Sequence, residues 1–369
     1  MKHSTSGTLF AVAFVLAFCW ATGTAHAQAR QTRNVVLVTI DGLRWQELFA
    51  GADSALIRDR RFTPDTADAV RRFWRPDPVA RRDALMPFVW STLVTRGQIY
   101  GDRRTGSYVD VTNRHRFSYP GYNEILTGFA DPRINSNNKI PNPNRTILEA
   151  VNDLTGFKGR VAMFGSWDVF PFIINEARSG VPVNAGYDTA AGNISERESW
   201  LNALEAQTPV LWPAVRLDVF THQFALEYMR REHPRLIHIA YGEADDFAHD
   251  GRFDHYLDAV HRTDAFLRDL WTFIESQPSY RGSTTVIIVG DHGRGNGDQW
   301  VGHGVGYEGS QHIWLMAIGP DTPARGAAAT AQPLYQNQVA ATIARLLGVE
   351  YASDHPIGQA VDAVLGPAR

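Results

Sequence analysis

The sequence is almost without cysteine, poor in lysine and nearly neutral, and no apolar run in it is long enough to span a bilayer. Each shortage closes off a class of function. The one cysteine is Cys19, so the remainder of the chain has no disulfide and no thiolate chemistry, and any metal must be held by His, Asp and Glu. Thirty-six Lys and Arg against 39 Asp and Glu leave a formal charge of −3. That balance offers no general pull toward nucleic acid or anionic lipid, so no nucleic-acid-binding surface is expected and anion recognition must be local. Only Lys2, Lys139 and Lys158 are lysines, a compositional bias to which no function attaches. No Gly/Ser or Pro-rich linker, low-complexity tract or internal repeat divides the chain. What it does have is material for a core: 44% of its 369 residues are hydrophobic, which excludes a disordered or fibrous chain.

Lys2 and His3 precede an apolar run from Leu9 to Trp20, and Ala25-His26-Ala27 puts small residues where a signal peptidase reads. The run is shorter than the roughly 18 residues of a membrane anchor. Residues 1–27 are therefore expected to be a cleaved signal, leaving a secreted or periplasmic protein without a membrane anchor. Phe18 before Cys19 is too bulky for a lipoprotein cleavage site. Residues 28–369 are expected to form one domain. Short β-branched runs at Val35–Ile40, Val161–Gly165, Leu236–Tyr241, Thr285–Val289 and Ile313–Ile318 read as buried strands. Helical spacing marks the stretches near Leu85–Val94, Thr146–Leu154, Leu217–Arg231, Phe253–Ile274 and Gln336–Leu347. Their alternation predicts an α/β fold, a three-layer α/β/α sandwich around a mostly parallel sheet. Residues 51–84, where eight arginines interleave with six aspartates, predict a solvated loop insertion, and 167–216 a second one.

Ligands of such sheets gather beyond the carboxyl ends of the strands. Val35–Ile40 ends in Asp41-Gly42, Leu236–Tyr241 leads to Asp245 and His249, Thr285–Val289 leads to Asp291-His292-Gly293, and Gly302-His303-Gly304 follows. One such Asp is ordinarily a helix cap and one such His a solvated loop residue. Several acids buried together are unfavourable unless cations neutralise them. Three aspartates and three histidines make two sets of mixed O/N ligands, which suit zinc, with manganese or iron as alternatives. Asp245 and His249, four apart, share one face of a helical turn and can hold one ion. Asp291 and His292 are adjacent and can meet one ion only on an irregular loop, which the glycines after them allow.

Ser118, in Phe117-Ser118-Tyr119-Pro120-Gly121-Tyr122, is the candidate nucleophile. Pro120 suits the first turn of a short helix ending at Gly128, which predicts Ser118 at the N-cap, where an oxyanion would be stabilised. A serine that only caps is the plainer reading. Taken in order, Asp41-Gly42, the Ser118-Tyr119-Pro120 helix ending Leu126-Thr127-Gly128, Asp245-x-x-x-His249, Asp291-His292-Gly293 and His303-Gly304 resemble the alkaline phosphatase superfamily, and within it the nucleotide pyrophosphatase/phosphodiesterase-like branch. The resemblance runs from Val35 to the helix near Gln338–Gly348.

The resemblance implies one divalent ion at Asp245, His249 and His303, and a second at Asp41, Asp291, His292 and the Ser118 oxygen. It implies attack of Ser118 on a small phosphate-ester substrate through a phosphoseryl intermediate. It also implies an asparagine that holds a phosphoryl oxygen, for which Asn138 is the first choice and Asn137 the second. Two departures bear on specificity. Sulfatases of this superfamily need Cys or Ser followed by x-Pro-x-Arg, and Tyr122 stands where that Arg should be. The phosphodiesterase branch has threonine where this chain has Ser118, so monoester and diester substrates both stay open. Phosphoglycerate mutases of this fold are cytosolic and longer. A sulfatase-like or phosphonate hydrolase, and an exported protein that binds metal or phosphate ester without turnover, are the alternatives. A Ser118/His292/Asp291 acyl hydrolase is disfavoured, because adjacent Asp and His do not easily orient each other and the serine lacks the G-x-S-x-G elbow. Gly304-x-Gly306-x-x-Gly309 precedes a strand pattern and so fails as a dinucleotide loop.

Overall fold

Asn34–Ile40 (β1) is an unbroken aliphatic and β-branched run, the pattern of a strand covered on both faces. All seven of its residues are buried in the computed structural model, which describes residues 1–3 and 30–366. The expected signal segment, Cys19 included, lies outside the described residues apart from its first three positions. The other strands are Gln98–Tyr100 (β2), Val109–Asp110 (β3), Val161–Gly165 (β4), Val183–Ala185 (β5), Leu236–Tyr241 (β6), Thr284–Val289 (β7), His312–Ile313 (β8), Leu315–Ile318 (β9), Gly326–Ala327 (β10) and Leu334–Tyr335 (β11). Eight of these make one sheet in the order β10-β2-β9-β7-β1-β6-β4-β5, in which only β9 runs against its neighbours. The order β11-β3-β8 makes a small second sheet.

Alternation along the strands feeds two apolar layers. Val36, Val38 and Ile40 pack with the helices Asp218–Glu232 and Phe253–Ser276, and Val35 and Leu37 with the helices Ser118–Thr127, Ile147–Asn152 and Val339–Leu347. The chain is thus a three-layer α/β/α sandwich with a mostly parallel central sheet.

Four sequence expectations are modified. The run Ile313–Ile318 is broken at Trp314: β8 pairs with β3 and β9 with β7, while the buried indole between them donates to Leu43 O at 2.9 Å. The chain changes sheets there, which periodicity within one run cannot show. Leu85–Val94 is not one helix. A helix ends at Leu85, the Asp264 carboxylate accepts from Phe88 N–H and Val89 N–H at 2.9 and 2.8 Å, and a π-helical turn, Val89–Leu93, follows. The 51–84 stretch is more than a solvated loop. Asp65 and Asp77 cap the helices Thr66–Phe73 and Pro78–Leu85, which bury Phe73 and Leu85 against the core. Arg58 and Arg81 lie over the Trp74 ring, so part of the cationic run is consumed in local packing. Likewise 167–216 contains β5 and the helix Glu196–Glu205, closed by a Ser195/Glu198 capping box.

Candidate metal centre

β7, β1 and β6 are sheet neighbours that end in register, with Thr39 opposite Val289 and Ile40 opposite Tyr241. The polar residues that follow them are therefore delivered to one place. Asp41 follows β1 directly. Asp291 and His292 follow β7 on an irregular loop, and Asp245 and His249 stand one turn apart on the helix Glu243–His249 behind β6. His303 comes from the loop after the turn Gly297–Val301.

Two groups of donor atoms result. Around His292 Nε2, Asp41 Oδ1 lies at 3.2 Å, Asp291 Oδ2 at 3.3 Å and Ser118 Oγ at 3.3 Å. Around His249 Nε2, Asp245 Oδ2 lies at 3.1 Å and His303 Nε2 at 3.0 Å. Ligands of a tetrahedral ion with bonds of about 2.0–2.1 Å stand about 3.3–3.4 Å apart, close to both spacings. The groups meet at Asp245, whose Oδ1 is 3.9 Å from His292 Nε2 and 3.8 Å from His303 Nε2. All seven residues expected as ligands are thus brought together.

The electrostatics show what this cluster lacks. Asp41 Oδ1 and Asp291 Oδ2 are buried without a hydrogen-bond partner among the described residues. Burial, and after it the Asp41 carboxylate, push the Asp291 carboxyl well above its ordinary range. Burial opposes a charged His292, but Asp291 and Asp41 outweigh it and raise the imidazole to about 9. Burial, then His292, hold His303 well below its ordinary value. At Asp245 burial is outweighed, chiefly by Arg294, and the carboxyl falls well below the usual range. Next to it burial, with Asp245 and Asp41, raises Asp246 to about 9. A histidine held protonated among orphaned carboxylates is the demand that a divalent cation meets, so the donor set fits a metal.

Ser118 stands beside this cluster for local reasons. It is the first residue of the helix Ser118–Thr127, with Phe117 as the N-cap and no side-chain cap, so the expectation that Ser118 itself caps is corrected. Its hydroxyl is left to face His292. The approach to it is strained: Arg116 has φ +56°, a conformation that persists only when its surroundings impose it. Arg116 N–H donates to Asn113 Oδ1 at 2.7 Å, and Glu124, on the same helix as Ser118, accepts from the N–H and side chains of both Thr112 and Asn113 at 2.8–2.9 Å. Gly121 is required because a Cβ there would run into the Asp291 carbonyl, so the helix backbone rests directly on the metal-centre loop. The start of the helix is a poor anion site, since Pro120 has no N–H and Tyr119 N–H donates to Asn137 Oδ1 at 3.0 Å. That bond sets the two asparagines apart in position. Both are exposed, but Asn137 reaches the start of the helix, whereas Asn138 has its backbone N–H on Ser136 Oγ at 3.4 Å.

Several supporting residues gave no sequence signal. Tyr122 donates its hydroxyl to Asp41 Oδ2 at 3.0 Å. Asp218 accepts from Gly242 N–H and Ser166 Oγ at 2.8 and 2.6 Å and, while Glu243 accepts from Asp218 N–H at 2.8 Å, pins the helix that carries Asp245 and His249. Arg294, fully buried, is paired with Asp245. Gly42, at φ +63°, has no room for a Cβ because that atom would meet Asp245 Oδ1 and Arg294 Nη1. The Asp-Gly pair is the one of these features whose sequence signal was visible. His238, by contrast, is the core residue its mid-strand place suggested, buried and bonded to Thr39 Oγ1 at 2.9 Å.

The model of the family described as type I phosphodiesterase / nucleotide pyrophosphatase matches residues 52–308, a span that includes Ser118, Asp245, His249, Asp291, His292 and His303. No curated protein matches the chain in sequence. Among solved structures, the fold is similar to the alkaline phosphatase PafA (10% identity, 91% of this chain and 99% of that one, TM-score 0.59). It is also similar to the phosphonate monoester hydrolase of Agrobacterium radiobacter (14% identity, 90% and 77%, TM-score 0.54) and to the lipoteichoic acid synthase LtaP of Listeria monocytogenes (11% identity, 92% and 77%, TM-score 0.55). At such identities the likeness is one of fold, but the family match extends over most of the sequence. The chain belongs to the type I phosphodiesterase / nucleotide pyrophosphatase family and carries it on an alkaline phosphatase-like fold.

Proposed function

We propose that this chain is an exported two-metal hydrolase of small phosphate esters in which Ser118 is the nucleophile. The observation that carries the proposal is the placement of Ser118 Oγ, Asp41 Oδ1 and Asp291 Oδ2 at 3.2–3.3 Å from one imidazole nitrogen of His292. Residues 28–369 act as one catalytic domain in this reading. Asp41, Asp291, His292 and Ser118 would hold one divalent ion and Asp245, His249 and His303 another, most simply Zn2+ with Mn2+ or Fe as alternatives. Such ions supply Lewis-acid stabilisation of developing negative charge and ionise a bound oxygen near neutral pH.

The rest is done by the chain itself. Ser118 Oγ gives up its proton and bonds to phosphorus as the ester P–O bond breaks, which releases the alcohol and leaves a phosphoseryl group that water then hydrolyses. The helix under Ser118 fixes the direction of attack through Glu124 and the strained Arg116. Asn137, with its amide oxygen engaged by Tyr119 N–H, keeps its Nδ2 donors free for a phosphoryl oxygen. Tyr122 holds Asp41. Tyr122 also occupies the place of the arginine that sulfatases need, which favours phosphate over sulfate esters.

The test is hydrolysis of nitrophenyl phosphate, bis-nitrophenyl phosphate and nitrophenyl sulfate by the zinc-loaded protein and by Ser118→Ala. The expected result is turnover of a phosphate ester that Ser118→Ala loses by at least about a thousand-fold while it keeps both ions. Full activity in the variant, or preference for the sulfate, would overturn the reading.

A further inference from the structure

Arg294 is the only arginine or lysine paired with a residue of the candidate metal centre among the described residues, and it touches one half of it. Its Nη1 is paired with Asp245 Oδ1 and its Nη2 lies 3.4 Å from His249 Nδ1. No ion pair joins it to Asp41 or Asp291. The guanidinium cannot leave: Nε donates to Trp300 O at 2.7 Å, Nη2 donates to Val301 O at 2.5 Å, and the side chain is 0% exposed. Its loop is fixed as well, since Arg44, itself buried and paired with Glu47, donates Nη1 to Gly295 O at 3.2 Å. A guanidinium stays charged at every pH a protein survives. The half of the centre made of Asp245, His249 and His303 therefore contains a permanent positive charge before any ion arrives.

One consequence follows. Asp245 has one carboxylate oxygen paired with Arg294, so it offers an incoming cation less negative charge than it would alone, and the guanidinium itself repels an ion at Asp245, His249 and His303. Among the described residues no arginine or lysine pairs with Asp41 or Asp291, whose carboxylates face His292, itself an expected ligand, so no fixed cation opposes an ion between Asp41, Asp291, His292 and Ser118.

We propose that Arg294 is a resident cation that makes the two metal positions unequal. The position at Asp41, Asp291, His292 and Ser118 loads first; the one at Asp245, His249 and His303 loads last and weakly, so turnover follows the free divalent ion concentration. This rests on the two-metal reading above. Arg294 is a positioning residue in this role, acting through Asp245 and His249 on the exchangeable ion.

The experiment is a Zn2+ titration of chelator-stripped full-length protein, read by calorimetry and by competition with a chromophoric chelator, with a thermal melt of each metal-free variant to show that it is folded. Wild type is expected to bind two Zn2+ in separated steps. Arg294→Gln should tighten the weaker step by about ten- to a hundred-fold, closing the gap, and Arg294→Lys, which keeps the charge, should preserve it. His249→Ala should delete the weaker step alone, and it serves if Arg294→Gln does not fold. Two equal sites in wild type, a gap indifferent to Arg294→Gln, or loss of the tighter step in His249→Ala overturns the proposal. A wild type that binds no Zn2+ overturns the two-metal reading itself, whereas two equal sites overturn only the inequality.

Discussion

The two halves of the candidate metal centre are built differently although each supplies acid and imidazole donors. Around Ser118 the ligands are sealed and doubly tied. Asp41 takes the Tyr122 hydroxyl, Asp291 takes Gly42 N–H at 3.3 Å and has its carbonyl held by Gln336 Nε2 at 2.6 Å, and His292 Nδ1 faces Gly293 O at 2.9 Å. Around His249 the arrangement is looser. His249 is 47% exposed and His303 Nδ1 has no partner among the described residues. In the proposed reaction the half around Ser118 must orient a nucleophile to within tenths of an ångström, and it is held by outer hydrogen bonds, which fix ligand orientation and raise ligand basicity. The half open to solvent is left adaptable, which suits the proposed reaction, where water and a leaving oxygen would share that position.

Substitutions at equivalent ligands should break the symmetry most. Asp291→Asn is expected to abolish the tighter Zn2+ step and lower turnover at least about a thousand-fold, while His249→Ala should lose about a hundred-fold and recover in part with excess Zn2+. Equal losses without rescue would show the halves to be equivalent. Glu124→Gln comes next. A carboxylate that accepts four hydrogen bonds has no amide substitute, since one oxygen becomes a donor facing donors, so a stability loss of about 2–3 kcal/mol is expected in urea melts, with turnover falling as Arg116 relaxes. Tyr122→Phe removes one bond to a ligand and should weaken the tighter step about ten-fold, the low end for such outer partners. An unchanged titration would make Tyr122 a packing residue only.

The strand ends of the site were legible because parallel buried strands announce themselves by composition and their ends by the polar residues after them. Asp41, Asp245 and Asp291 needed no more than that, and the i,i+4 pair Asp245/His249 followed from helical period. Arg294 was not legible. Nothing in Asp291-His292-Gly293-Arg294 distinguishes a solvated arginine from one folded back over a neighbouring strand's aspartate, because the contact is between residues 49 apart in the chain. Asn137 and Asn138 were not separable for a related reason: in an exposed loop adjacent positions point apart, and only the bond to Tyr119 N–H distinguishes them. The helices in 51–84 were hidden by arginine. Their apolar faces are sparse, and the stacking of Arg58 and Arg81 on Trp74 replaces aliphatic packing that periodicity would have detected.

The smallest effects expected are in the asparagine loop, which flanks the sealed half from outside. Asn137→Ala should lower kcat/KM about ten-fold by removing one hydrogen bond to the phosphoryl group, whereas Asn138→Ala should leave it unchanged. The reverse result would move the phosphoryl contact one residue along. The root of this loop is Asp131, buried and bound by Arg133 and by Asn144 Nδ2 at 2.8 Å. Burial disfavours its charge, but the hydrogen bonds from Arg133 and Asn144 outweigh burial and lower the carboxyl to about 2. A carboxyl depressed by folding stabilises the native state above its unfolded pKa of about 3.9 and ceases to do so as pH falls through the folded value. Wild type should therefore be more stable than Asp131→Asn at pH 6, and the two melting curves should draw together between about pH 4 and 2. A difference that persists unchanged at pH 2.5 would mean that the loop is anchored by packing and not by the Asp131 charge.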